Sequence, residues 1–302
     1  MSSVFTGSGV AIVTPFSEDE KIDYDVFEKL IEFQIANNTD AVIVCGTTGE
    51  GSTLTVDERL SLFRFAAEKI KGRVPLICGT GSNSTSFSLE LAKEAEKCGA
   101  DAHLMVTPYY NKTSQNGLVK HYFTLADNLN KPVIVYNVPS RTGMNISPET
   151  YHILSEHENI KGVKEADTNI VKLQKSVYLC NEKLDFYSGN DDMISSACAV
   201  GCKGVVSVLA NILPGFTHKM AVSGVNGKNR ECMLMQNEIM ELAQKLFCDV
   251  NPIPVKEAMN QLKMCSNVLR LPLDKTSDKN KLLIADVLNK YNYLLSSENR
   301  AE

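Results

Sequence analysis

The residue with the most demanding chemistry in this sequence is Lys164, at the end of the run I-K-G-V-K over residues 160–164. A short β-branched run that ends in a lysine and is followed by turn-forming polar residues predicts an ammonium group at the carboxyl end of a β-strand. Residues 160, 162 and 164 should share one face of that strand, with Lys161 and Val163 on the other. A partly desolvated lysine is a usable amine nucleophile, as imine formation with a carbonyl requires. We therefore predict that Lys164 forms a Schiff base with a keto acid.

Hydroxyl groups gather at the ends of the neighbouring predicted strands. Tyr136 ends the strand that precedes Lys164, so in a barrel the two side chains would be adjacent. A phenol in that position can pass protons to and from a carbinolamine and an imine. Thr47, Thr48 and Tyr110 supply further hydroxyls from other strand ends.

Two stretches have groups suited to carboxylates. G-T-T-G-E (46–50) offers two hydroxyls and successive backbone N–H groups. Arg141, in a predicted loop between Pro139 and Gly143, could bind a second carboxylate with both arms of its guanidinium. G-T-G-S-N (79–83) resembles a phosphate-binding loop only superficially, because it lacks the P-loop lysine and the dinucleotide-binding spacing.

The elements that must position these groups are short apolar runs rich in Val and Ile. They do not alternate polar and apolar residues, which is typical of parallel strands buried on both faces. The predicted strands cover residues 10–16, 41–45, 75–79, 102–107, 132–137, 160–164, 184–188 and 204–208. Helical-period segments between them cover residues 25–36, 55–70, 86–98, 117–129, 148–157, 169–180 and 191–200. This order predicts an α/β fold, a (β/α)₈ TIM barrel, with a doubly wound sheet as the alternative.

The pattern changes near residue 225. Segments 230–247, 255–269 and 277–295 have helical period and no strand-like run, and N-P-I-P and L-R-L-P-L separate them as helix breakers. We predict a catalytic barrel over residues 1–224 and a C-terminal helical region over residues 225–302 that packs on it.

Composition excludes several classes of protein. Of the 302 residues 43% are hydrophobic and 22% charged, and the formal net charge is −5 without a long basic run, which argues against nucleic acid and anionic membranes as partners. No apolar run is long enough for a membrane span, and a secretory leader is not evident, so we expect a cytoplasmic protein. The nine cysteines lie in apolar strings and predict reduced core residues. Cys198 and Cys202 lack a histidine partner, so no metal site is expected.

Four motifs carry a family resemblance. G-T-T-G-E (46–50), T-P-Y-Y-N (107–111), Y-N-V-P-S-R-T-G (136–143) and G-V-K-E-A (162–166), in this order and spacing, resemble the dihydrodipicolinate synthases within the N-acetylneuraminate lyase superfamily of class I aldolases. The likeness extends over nearly the whole chain. It implies a lyase that condenses pyruvate with L-aspartate 4-semialdehyde to 4-hydroxy-tetrahydrodipicolinate, in lysine and diaminopimelate biosynthesis. It implies no cofactor other than the covalent imine.

The resemblance also assigns roles. It makes Lys164 the imine-forming residue and Tyr136 the proton donor and acceptor, with Thr47 and Tyr110 completing a hydroxyl relay. Tyr110 would reach across a tight dimer contact into the neighbouring site, which implies a homo-oligomer, expected to be a tetramer of tight dimers. The pyruvate carboxylate is expected at Thr48.

The resemblance implies two further contacts, one with each substrate. The backbone of Val206 would line the pyruvate site, and Arg141 would bind the carboxylate of the aldehyde. Sister pyruvate aldolases, such as N-acetylneuraminate lyase or a keto-deoxy sugar acid aldolase, share the lysine and tyrosine and are the alternative. The paired threonines and P-S-R-T-G favour the synthase. A noncatalytic keto-acid-binding barrel is the alternative of another class.

The sequence departs from the family pattern in one cleft. Lysine-inhibited members bind free lysine there, and Asn83 and Tyr109 fit that cleft, but Val56, Arg59 and Phe87 replace residues expected to be polar, histidine and glutamate. Losing the acidic group leaves the α-ammonium of the ligand unpaired. We therefore predict weak or absent feedback inhibition by lysine.

Overall fold

Eight parallel strands close into a barrel in chain order, with the last strand paired to the first. The structure is a computed structural model and describes residues 3–298. The strands are β1 Gly7–Ala11, β2 Ala41–Val44, β3 Leu76–Gly79, β4 Ala102–Val106, β5 Val133–Asn137, β6 Ile160–Glu165, β7 Asp185–Ser188 and β8 Gly204–Ser207. The closed sheet confirms the predicted TIM barrel, and the doubly wound alternative is wrong.

The first strand differs from its predicted position at 10–16. It begins three residues earlier, because Gly7 pairs with Gly204 in β8 at a spacing that only glycine permits. A Cβ atom on Gly204 would lie 1.8 Å from the carbonyl oxygen of Gly7. The strand also ends earlier, since the N–H of Val13 donates to the side chain of Asn211 (3.1 Å) instead of to a strand. Small residues at the start of β1 therefore hid a buried strand from the apolar pattern.

Helices cover the outside of the barrel. They are α1 Tyr24–Ala36, α2 Val56–Ile70, α3 Thr85–Lys97, α4 Gln115–Asp127, α5 Pro139–Thr142, α6 Pro148–Leu154, α7 Ile170–Cys180, α8 Ile194–Ala199, α9 Pro214–Val225, α10 Asn229–Lys245, α11 Ile253–Gln261, α12 Asp278–Lys290 and α13 Asn292–Leu295. Two 3₁₀ turns, Asp191–Met193 and Leu209–Asn211, follow β7 and β8. The predicted capping box of α2 is present: Thr55 accepts from the N–H of Glu58, whose carboxylate accepts from the N–H of Thr55 (2.9 Å).

The predictions for the C-terminal helices were partly wrong. The segment 255–269 is helical only to Gln261, because the chain turns at Lys263, whose φ is +59°. The segment 277–295 is divided at Tyr291, which ends α12. Helix α9 has no counterpart among the segments predicted from the sequence.

Three hydrophobic clusters make up the core. One fills the barrel interior and includes Ile43, Leu104 and Ile134. At its lower end the ring of Phe5 stacks on Tyr187 with centroids 4.2 Å apart. The other two lie between strands and helices.

The C-terminal helices belong to one of these outer clusters. Ile239 of α10 and Ile284 of α12 lie in the same cluster as Val205 of β8. The barrel and the C-terminal helices therefore share one hydrophobic core. The boundary at residue 225 stays a prediction. Among the described helices, none combines the length and apolar character needed to cross a membrane.

The cysteines are unpaired, as predicted. Eight of the nine are buried, and Cys198 and Cys202 lie within the outer hydrophobic clusters. Their contacts are those of core residues.

Candidate active site

Lys164 lies inside the upper end of the barrel. In β6 it pairs with Tyr136 of β5 on one side and with Tyr187 of β7 on the other. Its side chain is 5% exposed, and its Nζ lies 4.5 Å from the centroid of the Tyr136 ring. The structure therefore places the predicted nucleophile beside its predicted proton-transfer partner.

One detail of the strand-face prediction was wrong. Ile160 does not share the inward face of Lys164 but lies in the outer cluster with Val163. The register between β5 and β6 shifts between Val133 and Ile134, so one extra residue of β6 separates Ile160 from Gly162. The extra residue shifts the alternation of side chains by one position. Residues before the bulge therefore face the opposite side from the prediction, and residues after it face the predicted side. Lys164 is after the bulge and points inward, whereas Lys161 is partly exposed.

A cavity of about 280 Å³ opens above these residues. Thr47, Tyr136 and Arg141 line it. Tyr110 does not: its side chain is 92% exposed, and within residues 3–298 it forms no hydrogen bond to Thr47 or Tyr136. Lys164, Thr48 and Val206 are not among the lining residues either. A single chain therefore places Thr47 and Tyr136 at one cavity, with Lys164 beside Tyr136, but does not complete the predicted relay.

The cavity is positively charged although the protein is acidic overall. Arg59 and Arg141 line it, and none of its lining residues that the structure describes is Asp or Glu. Burial lowers the pKa of the Arg59 guanidinium, which has no carboxylate within ion-pair distance among residues 3–298. Two arginines in a concave site attract anionic ligands.

The two predicted carboxylate-binding residues meet at a third residue, Asn251. Thr48 is 2% exposed, and its Oγ1 accepts a hydrogen bond from Asn251 Nδ2 (3.0 Å). Arg141 donates from Nη2 to the backbone oxygen of Asn251 (3.0 Å). Arg141 lies on the helical turn α5 and not in a loop as predicted, because Pro139 starts a turn that ends at Gly143 with φ +65°. Val206 points into the barrel interior with Tyr136.

Sequence reasoning did not identify Asn251 as part of the site. From the sequence, N-P-I-P predicts a helix breaker and gives no binding role. The chemical signal was an amide directly before the first proline of N-P-I-P, which is also typical of any turn. Its contacts are with residues more than a hundred positions away.

Glu50, the last residue of G-T-T-G-E, is held by the C-terminal region. It is 1% exposed and forms a buried ion pair with Lys256 of α11, and its Oε2 accepts from the N–H of Arg270 (3.1 Å). Burial lowers the pKa of Lys256, and the Glu50 carboxylate opposes that shift. Lys256 Nζ also donates to the backbone oxygen of Val268 (2.8 Å). The loop that carries Thr47 and Thr48 is therefore fixed at its far end.

A buried carboxylate, Asp191, lies at the end of β7. It accepts from Ser207 Oγ (2.5 Å) and from the N–H groups of Val208 and Leu209 (3.0 and 2.8 Å). Burial raises its pKa, while these hydrogen bonds and the charge of Lys164 act in the opposite direction. These contacts tie the end of β7 to the end of β8, beside Val206.

Gly79 explains the loop that superficially resembled a phosphate cradle. A Cβ atom on Gly79 would lie 2.4 Å from the carbonyl oxygen of Cys45. The glycine thus allows the end of β3 to pack against the end of β2, which is a structural reason for G-T-G at this position.

The residues of the predicted effector cleft are partly exposed, and two of them line the active-site cavity. Val56, Phe87 and Tyr109 are 41%, 37% and 38% exposed. Arg59 and Tyr109 line the same cavity as Arg141. Asn83 accepts a hydrogen bond at its backbone oxygen from Asn111 (2.9 Å).

Comparison with known proteins gives a consistent result. The family model described as "Dihydrodipicolinate synthetase family" matches residues 4–291. A relative from Clostridium acetobutylicum, named 4-hydroxy-tetrahydrodipicolinate synthase 1, is 46% identical over 92% of this chain and 94% of its own.

Two solved structures are similar throughout. The chloride-inhibited dihydrodipicolinate synthase from Acinetobacter baumannii, complexed with pyruvate, has a TM-score of 0.94 and 37% identity over 95% of this chain and 99% of its own. The enzyme from Cyanidioschyzon merolae with lysine bound has a TM-score of 0.93 and 33% identity over 96% of this chain and 99% of its own.

Proposed function

Because this chain belongs to the dihydrodipicolinate synthetase family, we propose that it condenses pyruvate with L-aspartate 4-semialdehyde through an imine on Lys164. The product is 4-hydroxy-tetrahydrodipicolinate, in lysine and diaminopimelate biosynthesis. The observation that carries the assignment of Lys164 is its burial against Tyr136, which lines a cavity with two arginines and no acidic residue in its described lining. Such a cavity suits a keto acid.

Each step uses groups of the chain or of the substrates. The Lys164 amine attacks C2 of pyruvate, and Tyr136 protonates the carbinolamine oxygen, so that water leaves and the imine forms. Loss of a methyl proton gives an enamine, whose carbon attacks the aldehyde of the second substrate. The amine of that substrate then attacks the imine carbon, closes the ring and releases Lys164. One water is lost overall, and we predict that no cofactor is used.

The carboxylates are assigned to two subsites. Thr48 and the backbone of Val206 would hold the carboxylate of pyruvate, and Arg141 that of the aldehyde. The positions of two of these residues support the assignment. Val206 lies in the same interior cluster as Tyr136, and Arg141 lines the cavity. A guanidinium binds a planar carboxylate through two parallel hydrogen bonds.

The sister aldolases are less well supported. The curated relatives at 46–47% identity are named as synthases. The P-S-R-T-G turn places a cation at the cavity, which suits a short charged aldehyde better than a polyhydroxylated sugar acid.

The relay through Tyr110 requires a second copy of the chain. Tyr110 is exposed at φ +69° beside the partly exposed Tyr109, and such exposed aromatic side chains support a contact between copies of the chain at this position. We infer a homo-oligomer, with a tetramer of tight dimers as the expected form. Sedimentation equilibrium checks it.

A cytoplasmic location is also inferred, and the unpaired cysteines support a reducing compartment.

Borohydride reduction tests the imine. With pyruvate present, we expect a reduced adduct on the peptide that contains Lys164, detected by mass spectrometry, in the wild type and in Lys161→Ala. Lys164→Ala should give no adduct. An adduct on another lysine, or none in the wild type, would refute the assignment of Lys164. A coupled assay with aspartate semialdehyde and the next reductase tests the whole reaction.

A further inference from the structure

We propose that Asn251 is a positioning residue that orients both carboxylate subsites, through its side chain for Thr48 and through its backbone for Arg141. This inference rests on the proposed function, because it takes its roles for Thr48 and Arg141 from there. It gives the C-terminal region a part in substrate binding, beyond packing on the barrel.

The contacts are specific and buried. Asn251 lies between α10 and α11, is 7% exposed, and is 203 positions from Thr48 in sequence. Its Nδ2 donates to Thr48 Oγ1 (3.0 Å), and its backbone oxygen accepts from Arg141 Nη2 (3.0 Å). Its Oδ1 is buried without a hydrogen-bond partner among the described residues. The amide thus makes one side-chain hydrogen bond, and that bond is to Thr48.

The direction of this hydrogen bond matters for the substrate. A hydroxyl has one proton and two acceptor lone pairs. Because Asn251 donates to Thr48, the Thr48 proton is not used in this contact, and within residues 3–298 it has no acceptor. The proton is therefore available to the carboxylate of pyruvate. An acceptor in place of the amide would take that proton and remove the hydrogen bond to the substrate.

The two contacts use different parts of Asn251, which predicts a split in kinetic effects. The contact to Thr48 is lost when the side chain is truncated, whereas the backbone oxygen that Arg141 needs remains. Substitution should therefore weaken the binding of pyruvate more than that of the aldehyde.

The experiment compares Asn251→Ala and Asn251→Asp with the wild type. We expect Asn251→Ala to raise the KM for pyruvate about tenfold, because Thr48 is then no longer oriented for its hydrogen bond to the charged carboxylate, and the KM for aspartate semialdehyde less than threefold. Asn251→Asp keeps the size of the side chain but presents only acceptors, so it should raise the KM for pyruvate more than Asn251→Ala does. Pyruvate titrations of borohydride trapping should show the same order without requiring turnover.

Asn260→Ala is the matched control. It removes an amide from the same region, where Nδ2 donates to the backbone oxygen of Cys265 (3.2 Å), and has no contact with Thr48 or Arg141. It should leave both KM values unchanged.

Three results would overturn the proposal: Asn251→Ala changing the KM for pyruvate less than twofold, both KM values rising equally, or Asn251→Asp binding pyruvate as well as the wild type. None of these affects the imine on Lys164, so the proposed function can hold while this inference fails. Rescue of pyruvate binding by the acceptor-only side chain would show that Asn251 only fills space.

Discussion

At the scale of the residue, two tyrosines flank Lys164, and only one of them is free to move protons. Tyr136 and Tyr187 occupy equivalent register positions on either side of Lys164. The hydroxyl of Tyr187 donates to the backbone oxygen of Phe5 (2.8 Å), and burial raises its pKa. Among residues 3–298 the hydroxyl of Tyr136 has no hydrogen-bond partner, and Tyr136 lines the cavity. Proton transfer is therefore assigned to Tyr136.

Substituting each tyrosine by phenylalanine separates the two roles. Tyr136→Phe should lower kcat by roughly 10²–10⁴-fold, the range for loss of a general acid or base. Tyr187→Phe should keep kcat within a few-fold and lower the free energy of unfolding by about 1 kcal/mol, from one buried hydrogen bond. Steady-state kinetics and urea unfolding measure both. Equal loss of kcat in the two variants would contradict the assignment.

At the scale of the element, the loop 46–55 and the segment 251–270 form one unit. Glu50 pairs with Lys256, and Arg270 donates to both carboxylate oxygens of Glu58 (2.8 and 2.6 Å), the residue that caps α2. The Lys256 ammonium also lies 4.2 Å from the centroid of the Phe16 ring. The loop between β2 and α2 is thus held at its middle by Lys256 and at the start of α2 by Arg270, both far along the chain.

Removing both members of the buried pair should destabilise the fold less than the two single changes added together. Lys256→Met leaves Glu50 buried and unpaired, and we expect it to lower the free energy of unfolding by about 3–5 kcal/mol. Glu50→Gln with Lys256→Met should cost clearly less than the sum of the single changes. Lys290→Met, which breaks the exposed pair with Glu241, should have little effect on urea unfolding. An additive double variant would show that the two residues do not interact.

The elements were more predictable than their contacts. Seven strands lie within two residues of their predicted positions because each contains a short cluster of apolar, mostly β-branched or aromatic residues bounded by turn-forming ones, which is a signal of local sequence alone. β1 was displaced because Gly7 and Gly9 are buried without being apolar. The contacts of Asn251 and Lys256 had no sequence signal, because an amide beside prolines and a single lysine look the same whether they bind a distant loop or face solvent.

At the scale of the whole molecule, charge is distributed unevenly. The chain has a formal net charge of −5, yet the cavity presents Arg59 and Arg141 with no acid in its described lining. This arrangement favours anionic substrates over cationic ligands. It also supports the expectation that free lysine, with two ammonium groups, binds poorly beside Arg59.

Lysine should therefore be a weak inhibitor. We expect no inhibition at micromolar lysine in the coupled assay, whereas Arg59→His with Phe87→Glu should increase sensitivity by removing one positive charge and adding an acid. Inhibition of the wild type at micromolar concentrations would refute the prediction. Arg59→His alone is the control for the loss of positive charge.

The ion pair between Glu50 and Lys256 also orders the completion of the site in time. The two residues are 206 positions apart, so the ribosome makes the threonine loop early and its anchor late. A nascent chain translated through β8 already contains Lys164, Tyr136 and both threonines, yet it lacks the cation that neutralises Glu50. We therefore expect the threonine loop to reach its final conformation only after Lys256 has been synthesised.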